Sequence, residues 1–337
     1  MNINLSQKSF LSLLDFSANE IHYLLELAHK LKTKRQNGIA GNSLKGKNIA
    51  LLFEKTSTRT RCAFEIGAVE EGGYCSVIDI SSSQFGKKES IADSAKVLAG
   101  YYHGVVFRGY AKRDAENLAI FSRVPVYNAL TDSEHPTQIL ADLMTIEEHL
   151  PSKNLAQVKV VYVGDTNNNV ATAWLYAAAK LGMHFVAFGP KELQPTHAVL
   201  AATRDLAKES GATIEVSDNK DCLNGADVIY TDVWVSMGEE NLALAKVNLL
   251  KEYQITMEML CLTNNPEVLF MHCLPAFHDH ETVFVKKMLQ EHNIDVREVT
   301  DEVFKSKNSV VFAEAANRLH TIKAILVATL GTKVEQF

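Results

Sequence analysis

The stretch Ile49-Ala50-Leu51-Leu52-Phe53-Glu54-Lys55-Thr56-Ser57-Thr58-Arg59-Thr60-Arg61 contains the transition that decides the fold. Its first five residues form an apolar run typical of a buried strand, and a helical pattern through Phe64 and Ile66 follows the hydroxyl-rich segment. A strand that leads directly into a helix is the repeating unit of an α/β fold. We therefore expect a parallel sheet, with polar side chains where this strand ends and the helix begins.

Residues 57–61 combine three hydroxyl groups with two guanidinium groups at the start of that helix. Unpaired backbone N–H groups and the helix dipole favour an anion at this position. Ordinary helix capping accounts for one hydroxyl. It does not account for two arginines, whose repulsion is relieved by a bound dianion or by nearby carboxylates. The segment therefore predicts a phosphate site.

Length and composition limit the classes of protein to be considered. A chain of 337 residues with 47% hydrophobic and 22% charged residues is typical of a globular protein with two domains. The formal charge of -6 argues against nucleic acid or an anionic membrane as the partner. Five cysteines without a Cys-x-x-Cys pair, and an N-terminus without a signal-like apolar segment, predict a cytoplasmic protein.

Strand-like and helical patterns alternate along the whole chain, which predicts the fold class α/β, with two domains that each contain a parallel sheet flanked by helices. A polar break at residues 150–154 separates a domain over residues 1–150 from one over 151–317. A C-terminal helix, within residues 318–337 and centred on 320–330, is expected to pack back on the first domain. Ligands of such folds bind at the carboxyl ends of strands, so the active site is expected in the cleft between the domains. The predicted strands are 48–53, 76–80, 104–108, 124–128, 158–163, 184–188, 213–216, 228–231 and 268–271.

Two polar segments of the first domain follow predicted strands. Arg108 ends an apolar run, where an arginine serves either as a structural ion-pair partner or as a group that polarises a carbonyl or phosphate oxygen. His135-Pro136-Thr137-Gln138 opens a helix, whose dipole lowers the pKa of the imidazole. A neutral His135 could donate a hydrogen bond to a carbonyl oxygen; the ordinary alternative is a structural histidine.

Two further segments follow strands of the second domain. Asp232 begins Asp232-Val233-Trp234-Val235-Ser236-Met237-Gly238 and is either a receptor for a ligand ammonium group or a helix N-cap. Cys273, in His272-Cys273-Leu274-Pro275, is a nucleophile, a ligand contact or a small buried apolar residue.

Cofactor motifs are weak in this sequence. Gly164-Asp165-Thr166-Asn167-Asn168-Asn169 has one of the glycines of a dinucleotide fingerprint, which disfavours a nicotinamide cofactor and a dehydrogenase. Its asparagines suit hydrogen bonds to a small zwitterion. His278-Asp279-His280 lacks a third ligand in the sequence, so a solvated loop is favoured over a metal site.

Segments 57–61, 135–138 and 272–275, taken in order, resemble the motifs of the aspartate/ornithine carbamoyltransferase family over essentially the whole chain. Residues 232–238 resemble the segment that binds ornithine in that family. The resemblance implies an enzyme that transfers the carbamoyl group of carbamoyl phosphate to the δ-amine of L-ornithine, giving L-citrulline and phosphate, without a metal or an organic cofactor. It also implies a homotrimer or a multiple of trimers.

The resemblance also assigns roles to individual residues. Those implied to bind carbamoyl phosphate are Ser57, Thr58, Arg59, Thr60, Gln84, Arg108, His135, Pro136, Thr137, Gln138, Cys273, Leu274 and Arg318. Those implied to bind ornithine are Asn169, Asp232, Ser236 and Met237. The implied catalytic residues are Arg108, His135, Asp232 and Cys273. Gln84 resembles a loop glutamine that reaches into the site of a neighbouring subunit.

Several functional alternatives remain open at this level. The neutral amine could attack carbamoyl phosphate directly, through a tetrahedral intermediate, or a carbamoyl group could first be transferred to Cys273. The acceptor could be another amine such as putrescine, and the same scaffold could serve as a non-catalytic sensor. Citrulline synthesis and citrulline breakdown use the same residues, so the physiological direction is not predicted.

Overall fold

The computed structural model describes residues 3–80, 83–235 and 242–331, in which strands and helices alternate. The strands are β1 (Asn48–Phe53), β2 (Tyr74–Asp79), β3 (Gly104–Arg108), β4 (Val126–Leu130), β5 (Lys159–Val163), β6 (His184–Phe188), β7 (Thr213–Ser217), β8 (Val228–Thr231) and β9 (Leu269–His272). The helices are α1 (Ala18–Gln36), α2 (Arg59–Val69), α3 (Ile91–Ala99), α4 (Lys112–Ser122), α5 (Pro136–His149), α6 (Asn169–Leu181), α7 (His197–Ser210), α8 (Ala243–Leu250), α9 (Met257–Cys261), α10 (Val283–His292), α11 (Asp301–Phe304) and α12 (Val311–Leu330).

The strands form two parallel sheets, in the orders β2-β1-β3-β4 and β7-β6-β5-β8-β9. β3 and β8 are buried along their whole length, as expected for strands that are covered by helices on both faces. Every pair of neighbouring strands in the two sheets is parallel. The predicted fold class, with two parallel sheets flanked by helices, is confirmed.

The chain divides into two compact units. The first comprises Met1–Met144 together with Ala316–Phe337, and the second comprises Thr145–Ala315. Each unit has its own apolar core. In the first unit the core includes Phe107, beside Ala50 and Leu118, and in the second it includes Phe270. Each sheet therefore has the buried apolar support that a stable α/β unit requires.

The C-terminal half of α12 contacts other elements of the first unit. Thr329 Oγ1 lies 2.7 Å from the hydroxyl oxygen of Tyr127, and Lys323 pairs with Glu70. α12 begins well before the predicted start at residue 320. Its first half is hard to recognise in the sequence because buried polar residues there, including Asn317, interrupt the apolar pattern.

The ends of most predicted elements differ little from those observed. β1, β3, β6 and β8 have the predicted bounds, whereas β4 begins and ends two residues later than predicted. Helices α4 and α8 to α11 were not predicted. Their sequences mix exposed apolar and polar residues, as Ile120 and Leu244 illustrate, so a helical apolar stripe is hard to recognise.

No helix in the described part of the chain combines the length and the apolar character needed to cross a bilayer.

Candidate functional site

The start of α2 presents hydroxyl groups beyond the carboxyl end of β1. The backbone N–H of Thr60 donates to Ser57 Oγ over 3.3 Å, so Ser57 supplies the ordinary capping contact. Thr58 directly precedes the helix, is exposed, and makes no side-chain capping bond. Thr60 is buried and Arg59 is the first helical residue. Capping therefore uses one hydroxyl and leaves the others for a different role.

Arg318 connects three helices of the first unit. Its Nη2 donates to Thr60 Oγ1 over 2.9 Å, and its Nη1 donates to Gln138 Oε1. Gln138 Nε2 in turn donates to Asp142 Oδ1 over 2.8 Å. Arg318 is 3% exposed. The structure thus brings together three residues that are far apart in the sequence and were predicted to bind the same ligand, and it adds Asp142, which was not predicted.

His135 lies in the same group and is buried just before the first residue of α5, Pro136. Burial lowers the pKa of His135 well below its usual value, and the charges of three guanidinium groups lower it further: those of Arg318, Arg108 and Arg59. Both causes act in the same direction and favour the neutral imidazole that the sequence predicted, with burial as the larger of the two. Thr137 Oγ1 lies 3.4 Å from Nδ1 of this ring.

Three guanidinium groups around one neutral imidazole form a strongly positive site in an acidic protein. Arg108 contributes from the end of β3 and is 7% exposed. Positive groups in a partly desolvated site attract a dianion far more strongly than surface charges do. The arrangement therefore suits a phosphate group, and it could offer a hydrogen-bond donor to a second oxygen.

Gln84 is not joined to this group by any hydrogen bond among residues 3–80, 83–235 and 242–331. It is exposed between β2 and α3, and its carbonyl oxygen accepts from the backbone N–H groups of Lys87 and Lys88. Its predicted role in the site of a neighbouring subunit stays a prediction.

In the second unit, the ends of neighbouring strands β8 and β9 bring Asp232 and Cys273 together. Cys273 Sγ donates to Asp232 Oδ1 over 3.0 Å, and the backbone N–H of Val233 donates to the same oxygen over 2.7 Å. Burial raises the pKa of Asp232. The carboxyl group of Asp232 accepts from the next residue and from the thiol of Cys273. An N-cap would instead accept from an N–H two or three residues later, so the N-cap alternative does not describe it.

Asn169 lies nearby in the fold of this unit, as the first residue of α6. Asn168 caps that helix by accepting from the N–H of Ala171 over 2.8 Å, and its side chain also contacts the hydroxyl group of Tyr162. Burial raises the pKa of Tyr162 well above its usual value, and the nearby Asp232 and Cys273 raise it further. Ser236 and Met237, both predicted to bind ornithine, lie outside the described residues.

Two groups in the described part of the chain contain side chains of metal-binding types. In the first, Asp232, His272 and Cys273 have ligand atoms within 4.8 Å of one another. Nδ1 of His272 accepts from the N–H of Leu274 over 2.9 Å, and its Nε2 lies 3.1 Å from Glu298 Oε1. Because both ring nitrogens are engaged, this group does not fit a metal ion.

The second group consists of His278, Asp279 and Asp301. Asp301 is the third partner that the sequence did not show. It is already paired, since it lies 2.7 Å from His278 Nδ1 and 2.8 Å from Lys305 Nζ. The imidazole of His278 also stacks on Phe304, with ring centroids 3.8 Å apart. These contacts describe a structural ion-pair cluster.

Sequence reasoning missed several buried polar residues around these sites: Asp142, Tyr162, Glu298 and Glu314. None of them belongs to a motif. Asp142, Glu298 and Glu314 look in the sequence like polar surface residues, and Tyr162 looks like an ordinary core residue of a predicted strand. His272 was within a quoted motif but received no role.

Comparisons with known proteins agree over both units. Two family profiles match: "Aspartate/ornithine carbamoyltransferase, carbamoyl-P binding domain" over residues 8–148, and "Aspartate/ornithine carbamoyltransferase, Asp/Orn binding domain" over residues 156–329. A Clostridium perfringens protein named "Ornithine carbamoyltransferase, catabolic" is 57% identical over 333 residues, 98% of this chain and 100% of that protein. The ornithine carbamoyltransferase of Limosilactobacillus reuteri is 50% identical over 98% of this chain and 99% of its own length. The solved structure of ornithine carbamoyltransferase from Pyrococcus furiosus has a TM-score of 0.89 and 38% identity, covering 98% of this chain and 99% of that one.

Proposed function

The chain belongs to the aspartate/ornithine carbamoyltransferase family, and we propose that it transfers the carbamoyl group of carbamoyl phosphate to the δ-amine of L-ornithine, in arginine metabolism. The products are L-citrulline and phosphate. The observation that carries the proposal is the buried His135 among three guanidinium groups, because this arrangement suits an acyl phosphate, in which a phosphate dianion is bonded to a carbonyl group.

The residues of the first unit account for binding and activation of carbamoyl phosphate. The hydroxyl groups of Ser57, Thr58 and Thr60, with the arginines, bind the phosphate and stabilise the negative charge that develops on it as it leaves. Arg108 and His135 donate hydrogen bonds to the carbonyl oxygen, which acquires negative charge in the tetrahedral intermediate. A neutral His135 makes this contact without taking the proton that the amine must lose.

The residues of the second unit account for binding of ornithine. Asn169 and Asp232 bind its polar groups, together with Ser236 and Met237. An alkylammonium group has a pKa of about 10 and must lose its proton before it attacks. Asp232 and Cys273, which are joined by a hydrogen bond, position the amine. That the two substrates meet in a cleft between the domains stays a prediction.

Purified protein supplied with both substrates is expected to form citrulline and phosphate in equal amounts. Binding of carbamoyl phosphate without any citrulline would instead identify a sensor. A turnover rate with putrescine comparable to that with ornithine would overturn the choice of acceptor, because residues 236–238 are proposed to bind an α-amino acid group.

Direct attack and a carbamoyl-cysteine intermediate differ in one exchange reaction. A covalent intermediate releases phosphate before ornithine binds, so labelled phosphate would exchange into carbamoyl phosphate without ornithine. Direct attack predicts no such exchange and sequential kinetics. Direct attack is proposed here because it needs no second nucleophile.

The physiological direction is tested by saturation with carbamoyl phosphate. One relative carries "catabolic" in its name. A strongly sigmoidal curve would support citrulline breakdown in this protein as well, whereas a hyperbola would support citrulline synthesis. The homotrimer, or a multiple of it, and a cytoplasmic location belong to the same proposal. Sedimentation of the purified protein tests the assembly, and mixing inactive Gln84→Ala and Arg108→Ala variants tests whether Gln84 acts across subunits.

A further inference from the structure

Residues 272–277, here named the Cys273 turn, leave the end of β9 with an unusual backbone. Leu274 has a φ of 56°, in the left-handed region that a leucine rarely adopts. A turn of this kind persists only when the surrounding contacts determine its conformation. Cys273 lies within it, and its thiol meets Asp232 across the two neighbouring strand ends. The contacts that hold the turn therefore also place the thiol.

Two fully buried carboxyl groups hold this turn. Glu314 Oε2 accepts from the backbone N–H of His272 over 2.9 Å. Inside the turn, the N–H of Leu274 donates to Nδ1 of His272, so the imidazole carries its hydrogen on Nε2. That Nε2 donates to Glu298 Oε1 over 3.1 Å.

Glu298 contacts both ends of the turn through one atom. Its Oε1 accepts from the ring of His272, at the beginning of the turn, and from the backbone N–H of Phe277, at its end, over 2.6 Å. The backbone of Glu298 is itself held, because its carbonyl oxygen accepts from the N–H of Ile255 over 2.9 Å. The carboxyl group thus joins the two ends of the turn, and its own backbone is fixed by a hydrogen bond.

The burial of Glu298 is not explained by ordinary packing. Its exposed fraction is 0%, and within the described residues its Oε2 has no hydrogen-bond partner. Burial raises its pKa to about 8, so the side chain is mostly uncharged at neutral pH. An apolar residue would avoid the cost of this desolvation. What the carboxyl group contributes to the structure is two accepted hydrogen bonds at Oε1.

We propose that Glu298 is a positioning residue for carbamoyl transfer: it joins His272 to Phe277 and thereby holds the thiol of Cys273 against Asp232. The inference rests on the proposed function, because the placed thiol matters only if Cys273 and Asp232 position the amine. Glu298 itself touches neither substrate nor reacting atoms in this account. Its loss would displace the thiol and Leu274 while leaving the phosphate-binding residues of the first unit in place.

Three variants separate the possible roles of Glu298. Glu298→Gln keeps an acceptor oxygen of the same length, so its kcat is expected within about threefold of the parent protein. Glu298→Ala removes the acceptor and Glu298→Asp shortens it, and a displacement near 1 Å is expected to lower kcat by about 100-fold and about 10-fold, respectively. Asp227→Ala is the matched control, because Asp227 is a buried acceptor for Lys153 and Lys159 before β8.

A second readout does not depend on turnover. Alkylation of Cys273 by iodoacetamide, followed by peptide mass analysis, is expected to quicken by about 10-fold in Glu298→Ala and to stay at the parent rate in Glu298→Gln and Asp227→Ala. If Glu298→Ala does not fold, Glu298→Asp is compared with Glu298→Gln by the same two measurements. The dissociation constant for inorganic phosphate is expected to be unchanged in all of them.

The proposal is overturned if folded Glu298→Ala, or Glu298→Asp in its place, matches Asp227→Ala in both kcat and alkylation rate. It is also overturned if Glu298→Gln loses as much activity as Glu298→Ala, since the acceptor oxygen would then not be what matters. Failure of the proposed function has a different signature: the parent protein would form no citrulline, while the alkylation rates would still report on the turn.

Discussion

At the scale of single residues, the guanidinium group of Arg318 illustrates how a buried charge organises a site. It holds Thr60 with one nitrogen and Gln138 with another, and it helps to keep His135 neutral. A planar guanidinium group can make these two contacts at a fixed angle, which a lysine ammonium group cannot. Arg318 therefore contributes to the proposed phosphate site both by charge and by geometry.

The Arg318→Lys variant is expected to raise the KM for carbamoyl phosphate by about 10-fold or more, because it keeps the charge but loses the two-pronged contact. Steady-state kinetics at saturating ornithine measure the change. Arg297→Lys is the control, since Arg297 pairs with Asp295 at the surface of the other unit. Equal KM values for the two variants would contradict the importance of the geometry.

His320 is a second buried histidine of the first unit, and its pKa predicts a pH dependence of stability. Burial lowers its pKa to about 4, and the charges of Lys323, Lys32 and Arg35 add to the effect. The unfolded chain binds a proton near pH 6.5, whereas the folded protein resists doing so until about pH 4. The stability is therefore complete above pH 6.5 and decreases as the pH falls towards 4.

Between pH 7 and pH 5, the parent protein is expected to lose about 2 kcal/mol more unfolding free energy than the variant His320→Gln, which cannot titrate. Urea unfolding at the two pH values measures this difference. His22→Gln, at an exposed position of α1, is expected to behave like the parent protein. Equal losses in the parent and His320→Gln would show that His320 does not contribute.

At the scale of secondary-structure elements, the candidate residues follow from where parallel strands end. Residues 57–60 follow β1, Arg108 ends β3, Asp232 follows β8 and Cys273 follows β9. In each sheet the carboxyl ends lie on one edge, so side chains from different strands converge there. The same principle allowed these residues to be predicted from the sequence.

An ion pair joins helix α8 to the segment that precedes α6. Lys246 Nζ lies 2.9 Å from Asp165 Oδ2, and both side chains are largely buried. Asp165 Oδ1 also accepts from the N–H of Asn167, in the segment that leads to Asn169. Since α8 begins shortly after Ser236 and Met237 in the sequence, this ion pair connects the chain that carries them to the start of α6.

The Lys246→Met variant is expected to raise the KM for ornithine by about 10-fold, because loss of one partner leaves the buried charge of Asp165 unpaired. The KM for carbamoyl phosphate is expected to stay unchanged. Adding Asp165→Asn to Lys246→Met should restore part of the loss by removing that charge. Lys305→Met, which breaks an exposed pair with Asp301, is the control. An unchanged ornithine KM in Lys246→Met would contradict this role.

At the scale of the whole molecule, two units with separate cores carry different parts of the proposed site. The basic group around His135 lies in the first unit, and the Asp232–Cys273 pair lies in the second. Ligands of the first unit alone should therefore stabilise that unit, because binding to the folded state shifts the unfolding equilibrium.

Inorganic phosphate is expected to stabilise the parent protein by about 2.7 kcal/mol at a concentration 100 times its dissociation constant. Thermal unfolding in phosphate, compared with chloride at equal ionic strength, measures the effect as a rise in Tm. The rise should be much smaller for Arg318→Lys at the same phosphate concentration. An equal rise in both proteins would place the bound phosphate elsewhere.

The sequence by itself determined the α/β class, most strand positions and the motif residues of both units. Apolar runs, polar residues at the starts of helices and polar residues after strands are local patterns that can be recognised in the sequence alone. Tertiary structure alone decided that Arg318 holds Thr60 and Gln138, that burial keeps His135 neutral, and that Glu298 closes the Cys273 turn. The physical reason is that burial, pKa shifts and contacts between distant residues depend on which surfaces meet, and no local pattern of residues encodes that.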